Sequence, residues 1–260
     1  MAKDKAFERA IHEAVELILS AEYVVALTGA GVSVESGIRP FRGPDGLWTE
    51  KGEPTMDGYA RFKEDPKGYW EGRLDPERRR GFGRSLHEAQ PNLGHQALSE
   101  LEGMGVLKSL ITQNIDNLHI TAGSSNVHEI HGNINKLRCI NCNTRYPVEG
   151  FEISELPPRC TSCGGVIKSD TVMFGEPIPV PTLNMCLAEA GHSDCMLVIG
   201  TSAMVFPAAA LPLNVKRRGG ALIEFNPRES ELSGMCDVTV RAPSGESLPI
   251  LVSRLKKKLG

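Results

Sequence analysis

The sequence has no apolar run long enough to cross a membrane, and its polar first ten residues do not look like an export signal. It also lacks a basic excess, with 29 Lys and Arg against 32 Asp and Glu, which argues against a general nucleic-acid binder. Seven cysteines without an export signal favour metal binding over disulfides. We therefore expect a cytoplasmic, monomeric protein that contacts neither membrane nor nucleic acid directly.

Short apolar segments alternate with helical patterns along the chain. This alternation predicts an α/β fold, a Rossmann-like parallel sheet with helices on both faces, interrupted by a cysteine-rich insertion. The predicted strands are 23–27, 106–111, 195–199 and 221–225. The predicted helices are 5–20, 94–103, 183–190 and 247–259, with Pro249 in the first turn of the last helix.

Four of the cysteines form two CxxC pairs, Cys139 with Cys142 and Cys160 with Cys163, separated by 17 residues. Each pair can direct two thiolates at one ion, and two pairs complete a tetrahedral sulfur shell. Such a shell leaves no open position, so we predict one structural zinc ion rather than a catalytic one. A nucleic-acid-binding zinc ribbon is the alternative, but few basic or aromatic residues lie between the pairs.

A glycine-rich segment follows the first predicted strand. Gly29 and Gly31 would let backbone amides approach a phosphate. The dinucleotide fingerprint of dehydrogenases is broken by Val34, and no acidic residue ends an obvious second strand about 20 residues on. The segment is therefore compatible with an NAD-type ligand, but it does not match an ordinary enzyme that transfers hydride. Farther along this loop, Phe41 and Arg42 suit a lid over a charged ligand.

Polar residues 113–116 follow the strand at 106–111, where the carboxyl ends of parallel strands line a ligand crevice. Their amides could bind a carboxamide or ribose hydroxyls, although Asp116 alone could instead cap the next helix through an Asx turn. His131 is the natural general base if the crevice is an active site, and otherwise a packed side chain. His119 and His128 are weaker candidates for that base.

Two further strand ends complete the predicted crevice. Residues 200–202 end the strand at 195–199, and Asn226 ends the strand at 221–225. Segment 170–176 is interpreted as short and extended, and segment 204–209 as extended at its start. Either segment could therefore accept a peptide as an added strand.

Together these motifs resemble the sirtuin family of NAD-dependent protein-lysine deacylases. In chain order they are GAGVSVESGIRPFRG, QNIDNLH, HG at 131–132, the two CxxC pairs, FGE at 174–176, GTSAMVFPAA and Asn226. The resemblance implies a discontinuous NAD-binding domain (1–41, 91–134 and 168–260), a helical module (42–90) and a zinc module (135–167).

The resemblance also implies a role for each matching residue. His131 would be the general base and would act together with Asn114. An acyl-lysine peptide would contact Val172, Phe174, Gly175 and Val205. NAD would contact Gly29, Ala30, Gly31, Ser33, Phe41, Arg42, Trp48, Gln113, Asn114, Ile115, Asp116, Gly200, Thr201, Ser202, Asn226 and Ser244.

The implied reaction expels nicotinamide, and the acyl group of a lysine ends on ADP-ribose. An NAD-dependent protein ADP-ribosyltransferase is the main alternative, followed by a non-enzymatic zinc-ribbon module and a dehydrogenase. Two departures from the family stand out. Arg39-Pro40 replaces the usual Pro followed by Asp or Thr, and Trp70 with Arg73 stands where succinyl- or malonyl-preferring members have Tyr-x-x-Arg. We expect acetyl-lysine as substrate and leave desuccinylation and demalonylation open.

Overall fold

The computed structural model describes residues 2–77, 86 and 88–260. Residues 78–85 and 87 of the predicted helical module lie outside the described residues. Within the described residues, six strands form one parallel sheet: β1 (Val24–Thr28), β2 (Leu107–Thr112), β3 (Val127–Glu129), β7 (Cys195–Ile199), β8 (Ala221–Phe225) and β9 (Val238–Val240). A second, antiparallel sheet is built from β4 (Lys136–Cys139), β5 (Arg145–Pro147) and β6 (Ile167–Ser169).

The helices lie between these strands and at the two ends of the chain. In order they are α1 (Ala2–Ser20), α2 (Leu47–Lys51), α3 (Gly58–Glu64), α4 (Pro66–Leu74), α5 (Leu93–Gly103), α6 (Leu118–Thr121), α7 (Val180–His192), α8 (Ala210–Arg217) and α9 (Ser244–Leu259). None of the helices in the described ranges is long and apolar enough to cross a membrane.

The central strand β1 shows why the sheet is covered on both faces. All five of its residues are buried, and alternate side chains enter two separate cores. Val24 and Ala26 pack with residues of α1, α5 and α9. Val25 and Leu27 pack with residues of α7 and α8. Since successive side chains of a strand point to opposite faces, a continuous apolar run is what this two-sided burial requires.

The strand order β3-β2-β1-β7-β8-β9 creates a switch point in the middle of the sheet. From β1 the chain builds β2 and β3 on one side, and it later returns to build β7, β8 and β9 on the other. Loops after β1 and β7 therefore diverge, and their divergence opens a crevice at the carboxyl ends of the strands. The doubly wound α/β prediction is confirmed.

Several local predictions need correction. Residues Ala30–Ser36 form a 3-10 helix inside the segment that we expected to be a loop. The last helix begins at Ser244, so Pro249 lies in its interior and not in its first turn. Segments 170–176 and 204–209 contain turns and no strand. The three-residue edge strands β3 and β9 were not predicted, because so short a run carries little hydrophobic pattern.

The small sheet carries the cysteine pairs and packs against the helical module. The indole of Trp70 on α4 is 2% exposed and lies in an apolar cluster with Leu137, Cys160 and Ile167. Its Nε1 donates a hydrogen bond to the carbonyl oxygen of Ile167 at 2.7 Å. Trp70 therefore joins α4 to the cysteine-bearing sheet, and the division of the chain into modules stays a prediction.

Candidate functional site

The loops after β1 and β7 cross at backbone contact distance. Gly31 N donates to Gly200 O at 2.8 Å, and a Cβ added to Gly31 would lie 2.6 Å from Gly200 Cα. Gly200 itself has φ +58, in the left-handed region. A first reason for glycine here is thus the packing of two loops. This packing does not exclude the predicted contact of the same glycines with a phosphate, which stays a prediction.

A buried hydrogen-bond cluster lies beneath these loops. The Ser33 hydroxyl donates to Asp116 Oδ2 at 2.7 Å and accepts from Asn114 Nδ2 at 3.1 Å. The Nε2 of His95 is 3.4 Å from the same hydroxyl, while its Nδ1 accepts from Asn92 N. Ser33 thereby connects the 3-10 helix after β1 to α5 and to the segment that follows β2. Asp116 supplies the carboxylate of this cluster.

The other oxygen of Asp116 has a separate task. Its Oδ1 accepts from Leu118 N at 3.0 Å, at the residue where α6 begins. The Asx-turn interpretation is therefore correct for one oxygen, while the other faces Ser33. A contact between Asp116 and NAD stays a prediction.

A second chain of hydrogen bonds supports the residues after β2. Thr28 Oγ1 donates to Thr112 Oγ1 at 2.8 Å, and Thr112 Oγ1 accepts from Asn114 N at 3.0 Å. His119 Nε2 is 2.9 Å from Thr28 Oγ1, and its ring lies 4.8 Å from that of His95. The Nδ1 of His119 is buried and has no hydrogen-bond partner among the described residues.

Burial keeps both of these histidines neutral. Desolvation lowers the pKa of His95 to about 4, although the nearby Asp116 carboxylate opposes the shift. Desolvation also lowers the pKa of His119 well below its usual value, with a further contribution from His95. At neutral pH the cluster therefore contains uncharged imidazoles around one carboxylate.

Gln113 connects the two sides of the crevice. Its side-chain amide donates to Thr201 Oγ1 at 2.9 Å, and its backbone N donates to Thr28 O at 3.0 Å. Asn226 Nδ2 in turn donates to Thr201 O at 3.0 Å, while Ser202 O accepts from Glu231 N. The predicted residues at the ends of β1, β2, β7 and β8 are brought together around Thr201.

His131 follows β3 at the same edge of the sheet. Its Nδ1 is 3.1 Å from the carbonyl oxygen of Gln113. A carbonyl can only accept, so this contact assigns the ring proton to Nδ1 and leaves the lone pair on Nε2. Burial lowers the pKa of His131, although the bond to Gln113 opposes the shift. The imidazole is thus a neutral base at pH 7. His128, by contrast, faces Glu189 on α7 at 4.0 Å.

The predicted lid residues form an aromatic cluster. The rings of Phe41 and Trp48 stack with centroids 4.7 Å apart, and the Arg42 guanidinium lies 4.5 Å from the Trp48 centroid. Trp48 also meets Phe174 edge-on at 5.5 Å. The lid therefore touches the segment that was predicted to bind the peptide. Arg39 braces the lid loop by donating to Asp45 O and Glu50.

The remaining predicted residues lie around this centre. Val172 N donates to His131 O at 2.8 Å, and Val205 O accepts from Ala209 N at the turn before α8. Ile115 packs in a small apolar cluster with Ile38 and Leu118. Ala30 begins the 3-10 helix. Gly175 has φ +78, and an added Cβ would lie 2.2 Å from Met56 O.

Ser244 was predicted to contact NAD, and in the structure its hydroxyl bonds to another side chain. It is 4% exposed, and its hydroxyl donates to Glu35 Oε2 at 3.4 Å. Glu35 Oε2 also accepts from Gly245 N at 2.8 Å, so it caps the N-terminus of α9. Contact between Ser244 and adenine stays a prediction.

The four paired cysteines fit a tetrahedral metal site. Their sulfur atoms all lie within 4.8 Å of one another. Cys139 Sγ is 3.5 Å from Cys163 Sγ, and Cys142 Sγ is 3.6 Å from Cys160 Sγ. A zinc–sulfur bond of about 2.3 Å places sulfurs roughly 3.8 Å apart in a tetrahedron. The donor set and spacing fit one zinc ion.

The other three cysteines differ from this set. Burial raises the pKa values of Cys186, Cys195 and Cys236 to about 12 each. They are therefore protonated thiols at neutral pH. No disulfide joins cysteines within the described residues.

Sequence reasoning missed several residues of the buried cluster, namely Thr28, Asn92, His95 and Thr112. One local signal was present for Asn92 and His95. Asn92 accepts from Gly94 N and His95 N, and His95 Nδ1 accepts from Asn92 N, which is a capping box at the start of α5. Cap residues three apart before an apolar helix are readable from sequence. The contact of His95 with Ser33 is not readable in this way.

Comparison with known proteins gives a consistent result. The model of the Sir2 family matches residues 29–207. The NAD-dependent protein deacylase 1 of Archaeoglobus fulgidus is 43% identical, covering 94% of this chain and 98% of that protein. The NAD-dependent protein deacetylase of Sulfurisphaera tokodaii is 46% identical, covering 94% and 95%. A solved Sir2–p53 peptide–NAD+ complex is 30% identical and covers 96% of this chain and 99% of its own, with a TM-score of 0.77.

Proposed function

This chain belongs to the Sir2 family, and on that premise we propose that it is an NAD-dependent protein-lysine deacylase. The acyl group of a lysine would move to ADP-ribose, with release of nicotinamide. The similar proteins of A. fulgidus and S. tokodaii carry deacylase and deacetylase names, and the solved Sir2 complex holds both NAD+ and a peptide. The proposed partners are therefore NAD and an acyl-lysine protein.

The observation that carries the proposal is the state of His131. Its ring proton is fixed on Nδ1 by Gln113 O, and its Nε2 lone pair is unprotonated at neutral pH. NAD, when bound, supplies an electrophilic ribose carbon and nicotinamide as the leaving group. His131 would accept the proton of a ribose hydroxyl at Nε2, which would make that hydroxyl nucleophilic towards the acyl carbon. The bond from the acyl carbon to the lysine nitrogen would then break, and the lysine amine would leave. The Gln113 carbonyl then stabilises the charged ring.

The surrounding residues would hold the reacting groups and exclude water. The Asn114 and Asp116 side chains are fixed by Ser33, so they present a rigid polar wall to the nicotinamide half. Gln113 and Asn226 are tied together through Thr201 on the adenosine half. The cluster of Phe41, Arg42, Trp48 and Phe174 would cover the site. Fixed polar groups and excluded water both favour a cationic transition state.

The zinc ion would have no part in this chemistry. Cys139, Cys142, Cys160 and Cys163 would occupy all four positions of its tetrahedron, which would leave no position for water or substrate. Its role would be to fold the small sheet against which Trp70 packs.

A nicotinamide-release assay with an acetyl-lysine peptide tests the function. We expect release that requires both NAD and the acetyl group, and loss of deacylation in His131→Ala. Full activity in this variant would show that the proposed base is wrong. Product analysis separates the main alternative, because an ADP-ribosyltransferase leaves ADP-ribose on protein and yields no deacylated lysine.

For the acyl group we propose acetyl rather than succinyl or malonyl. The indole of Trp70 is held in the zinc-module cluster by its bond to Ile167 O. It therefore does not take the place of a tyrosine that reads an acyl carboxylate together with Arg73. Rates on acetyl and succinyl peptides should favour acetyl in wild type and in Arg73→Ala. If Arg73→Ala lowers the rate on the succinyl peptide but not the rate on the acetyl peptide, Arg73 pairs with the acyl carboxylate.

We also propose a cytoplasmic location and a monomeric state. Support for the location comes from the seven free cysteines, four of which suit a metal. Cell fractionation tests the location, and light scattering of the zinc-loaded protein tests the monomer.

A further inference from the structure

Four ionisable side chains are buried between the small sheet and the site. Side-chain exposures are 4% for Arg138, 0% for Lys168, 1% for Asp170 and 2% for Glu176. Arg145, at 40% exposure, joins them by donating to Asp170 at 3.0 Å. Three cations thus meet two carboxylates, and we call these five residues the ion network.

The contacts within the ion network are direct. Glu176 receives Arg138 Nη2 on Oε1 at 2.5 Å and Lys168 Nζ on Oε2 at 3.0 Å. Asp170 Oδ1 accepts from Arg138 Nε at 3.1 Å. Lys168 Nζ also donates to Ser169 O at 2.7 Å and to Thr171 O at 2.8 Å. Both carboxylates therefore hold cations that belong to β4, β5 or β6.

Stability alone gives little reason for such a network. Moving charges out of water is costly, and a buried ion pair is often no more stabilising than apolar side chains of the same volume. What a hydrogen-bonded ion network does provide is one defined geometry. The question is therefore which part of the molecule takes its geometry from the ion network.

The acids of the ion network lie at both ends of residues 170–176, here called the channel segment. Glu176 Oε2 accepts from Met173 N at 2.9 Å, which closes the turn that carries Phe174. Near the other end, a Cβ added to Gly132 would lie 2.2 Å from Asp170 O, and Val172 N donates to His131 O at 2.8 Å. The channel segment is thus fixed against the proposed base.

We propose that Lys168 and Glu176 are positioning residues, which fix the channel segment in the conformation that binds the acyl-lysine peptide. This inference rests on the proposed deacylase function. The two residues act through Val172 and Phe174 and not on the reacting atoms. The ion network joins the cysteine-bearing sheet to the peptide-binding side of the crevice. The NAD half, built around Gln113 and Thr201, has no bond to the ion network among the described residues.

Lys168→Met is the sharpest variant, because it removes one cation and leaves two arginines facing two carboxylates. The protein should fold and keep one zinc per chain. We expect its KM for an acetyl-lysine peptide to rise about tenfold, while its KM for NAD stays within about twofold of wild type and kcat falls less than the peptide KM rises. The double variant Lys168→Met/Glu176→Gln keeps the net charge of the ion network and should show the same split.

The matched control is Arg254→Met, which breaks an exposed ion pair with Glu8 at 50% and 54% side-chain exposure. It should leave both KM values unchanged. An unchanged peptide KM in the zinc-loaded Lys168→Met protein overturns the proposal. Equal rises in both KM values, or loss of zinc, also overturn it, because they indicate a general structural role. If Lys168→Met does not fold, the double variant gives the same decision.

Failure of the proposed function is distinguishable from failure of this inference. A wild type that releases no nicotinamide with an acetyl-lysine peptide contradicts the function. The affinity of a fluorescent acetyl-lysine peptide, measured by anisotropy on the zinc-loaded wild type and Lys168→Met proteins, still tests the positioning without turnover. Equal peptide affinities would overturn it.

Discussion

Acid should destabilise this protein through His95, and the size of the effect follows from its burial. The folded protein holds His95 neutral with a pKa of about 4, whereas an unfolded chain has a histidine pKa of about 6.5. Between these two pH values the unfolded chain therefore binds more protons than the folded protein does. The stability that depends on neutral His95 is present above pH 6.5 and is lost as pH falls towards 4.

Linkage gives the magnitude. With pKa values of about 4 folded and about 6.5 unfolded, lowering the pH from 7 to 4.5 removes about 2.5 kcal/mol through this one group. The perturbation is His95→Gln, because glutamine does not titrate. Its amide can accept from Asn92 N and donate to Ser33, as His95 does. The variant should lose about 2.5 kcal/mol less than wild type over the same pH interval.

Guanidinium unfolding at pH 7 and pH 4.5, followed by circular dichroism, measures the four free energies. Protonation of the zinc-binding thiolates and of His119 also lowers stability in acid. The thiolate effect occurs in wild type and variant and cancels in the difference, and the His119 effect cancels except for the contribution of His95 to its pKa. His12→Gln, at an exposed position of α1, is the control and should behave as wild type. A His95→Gln protein that loses as much stability as wild type would refute the reasoning.

Three further predictions follow from the site. The kcat/KM of deacylation should be level at pH 7 and above and fall only in more acidic solution, because burial lowers the pKa of His131 below its usual value. A profile still rising between pH 7 and 8 would contradict this. Gly31→Ala places a Cβ 2.6 Å from Gly200 Cα and should cost about 1–3 kcal/mol in unfolding free energy, with weaker NAD binding by calorimetry. Each Trp→Phe variant leaves one tryptophan as a fluorescent reporter. Zinc chelation should red-shift the fluorescence of Trp70 in the Trp48→Phe protein, and it should change the fluorescence of Trp48 little in the Trp70→Phe protein.

Much of the fold could be predicted because its signals are local. The strands β7 (Cys195–Ile199) and β8 (Ala221–Phe225) match their predicted limits, since each is an apolar run that ends at a turn. The CxxC pairs predicted a metal site because two residues of separation already place two thiolates side by side. Short edge strands such as β9 have only three residues, so no period can be counted in them.

The buried cluster could not be predicted because its contacts join distant parts of the chain. Ser33 and His95 are 62 residues apart, and Thr28 and His119 are 91 apart. A lone histidine in a helical pattern looks the same whether it faces solvent or a carboxylate. Only the packing of the segment after β1, which carries Ser33, against the segment after β2, which carries Asp116, decides which. The neutral state of these imidazoles therefore follows from tertiary packing.

Trp70 shows the limit of a spacing, which predicts that two residues are neighbours on a helix but not what they contact. Trp70 and Arg73 have the separation of an acyl-recognising pair, and that separation places residues on neighbouring positions of a helix surface. The pattern does not say what the surface meets. Here α4 turns Trp70 towards Ile167 and the cysteine cluster, so the same spacing builds a contact between modules.

Asp116 shows why weighing a structural role against a functional one can pose the wrong question. A carboxylate has two oxygens, and each can accept from a different donor. One oxygen starts α6 at Leu118, and the other holds Ser33. The helix cap fixes the orientation of the carboxylate, and that fixed orientation is what a preorganised polar site needs. For this residue a structural task is therefore no argument against a functional one.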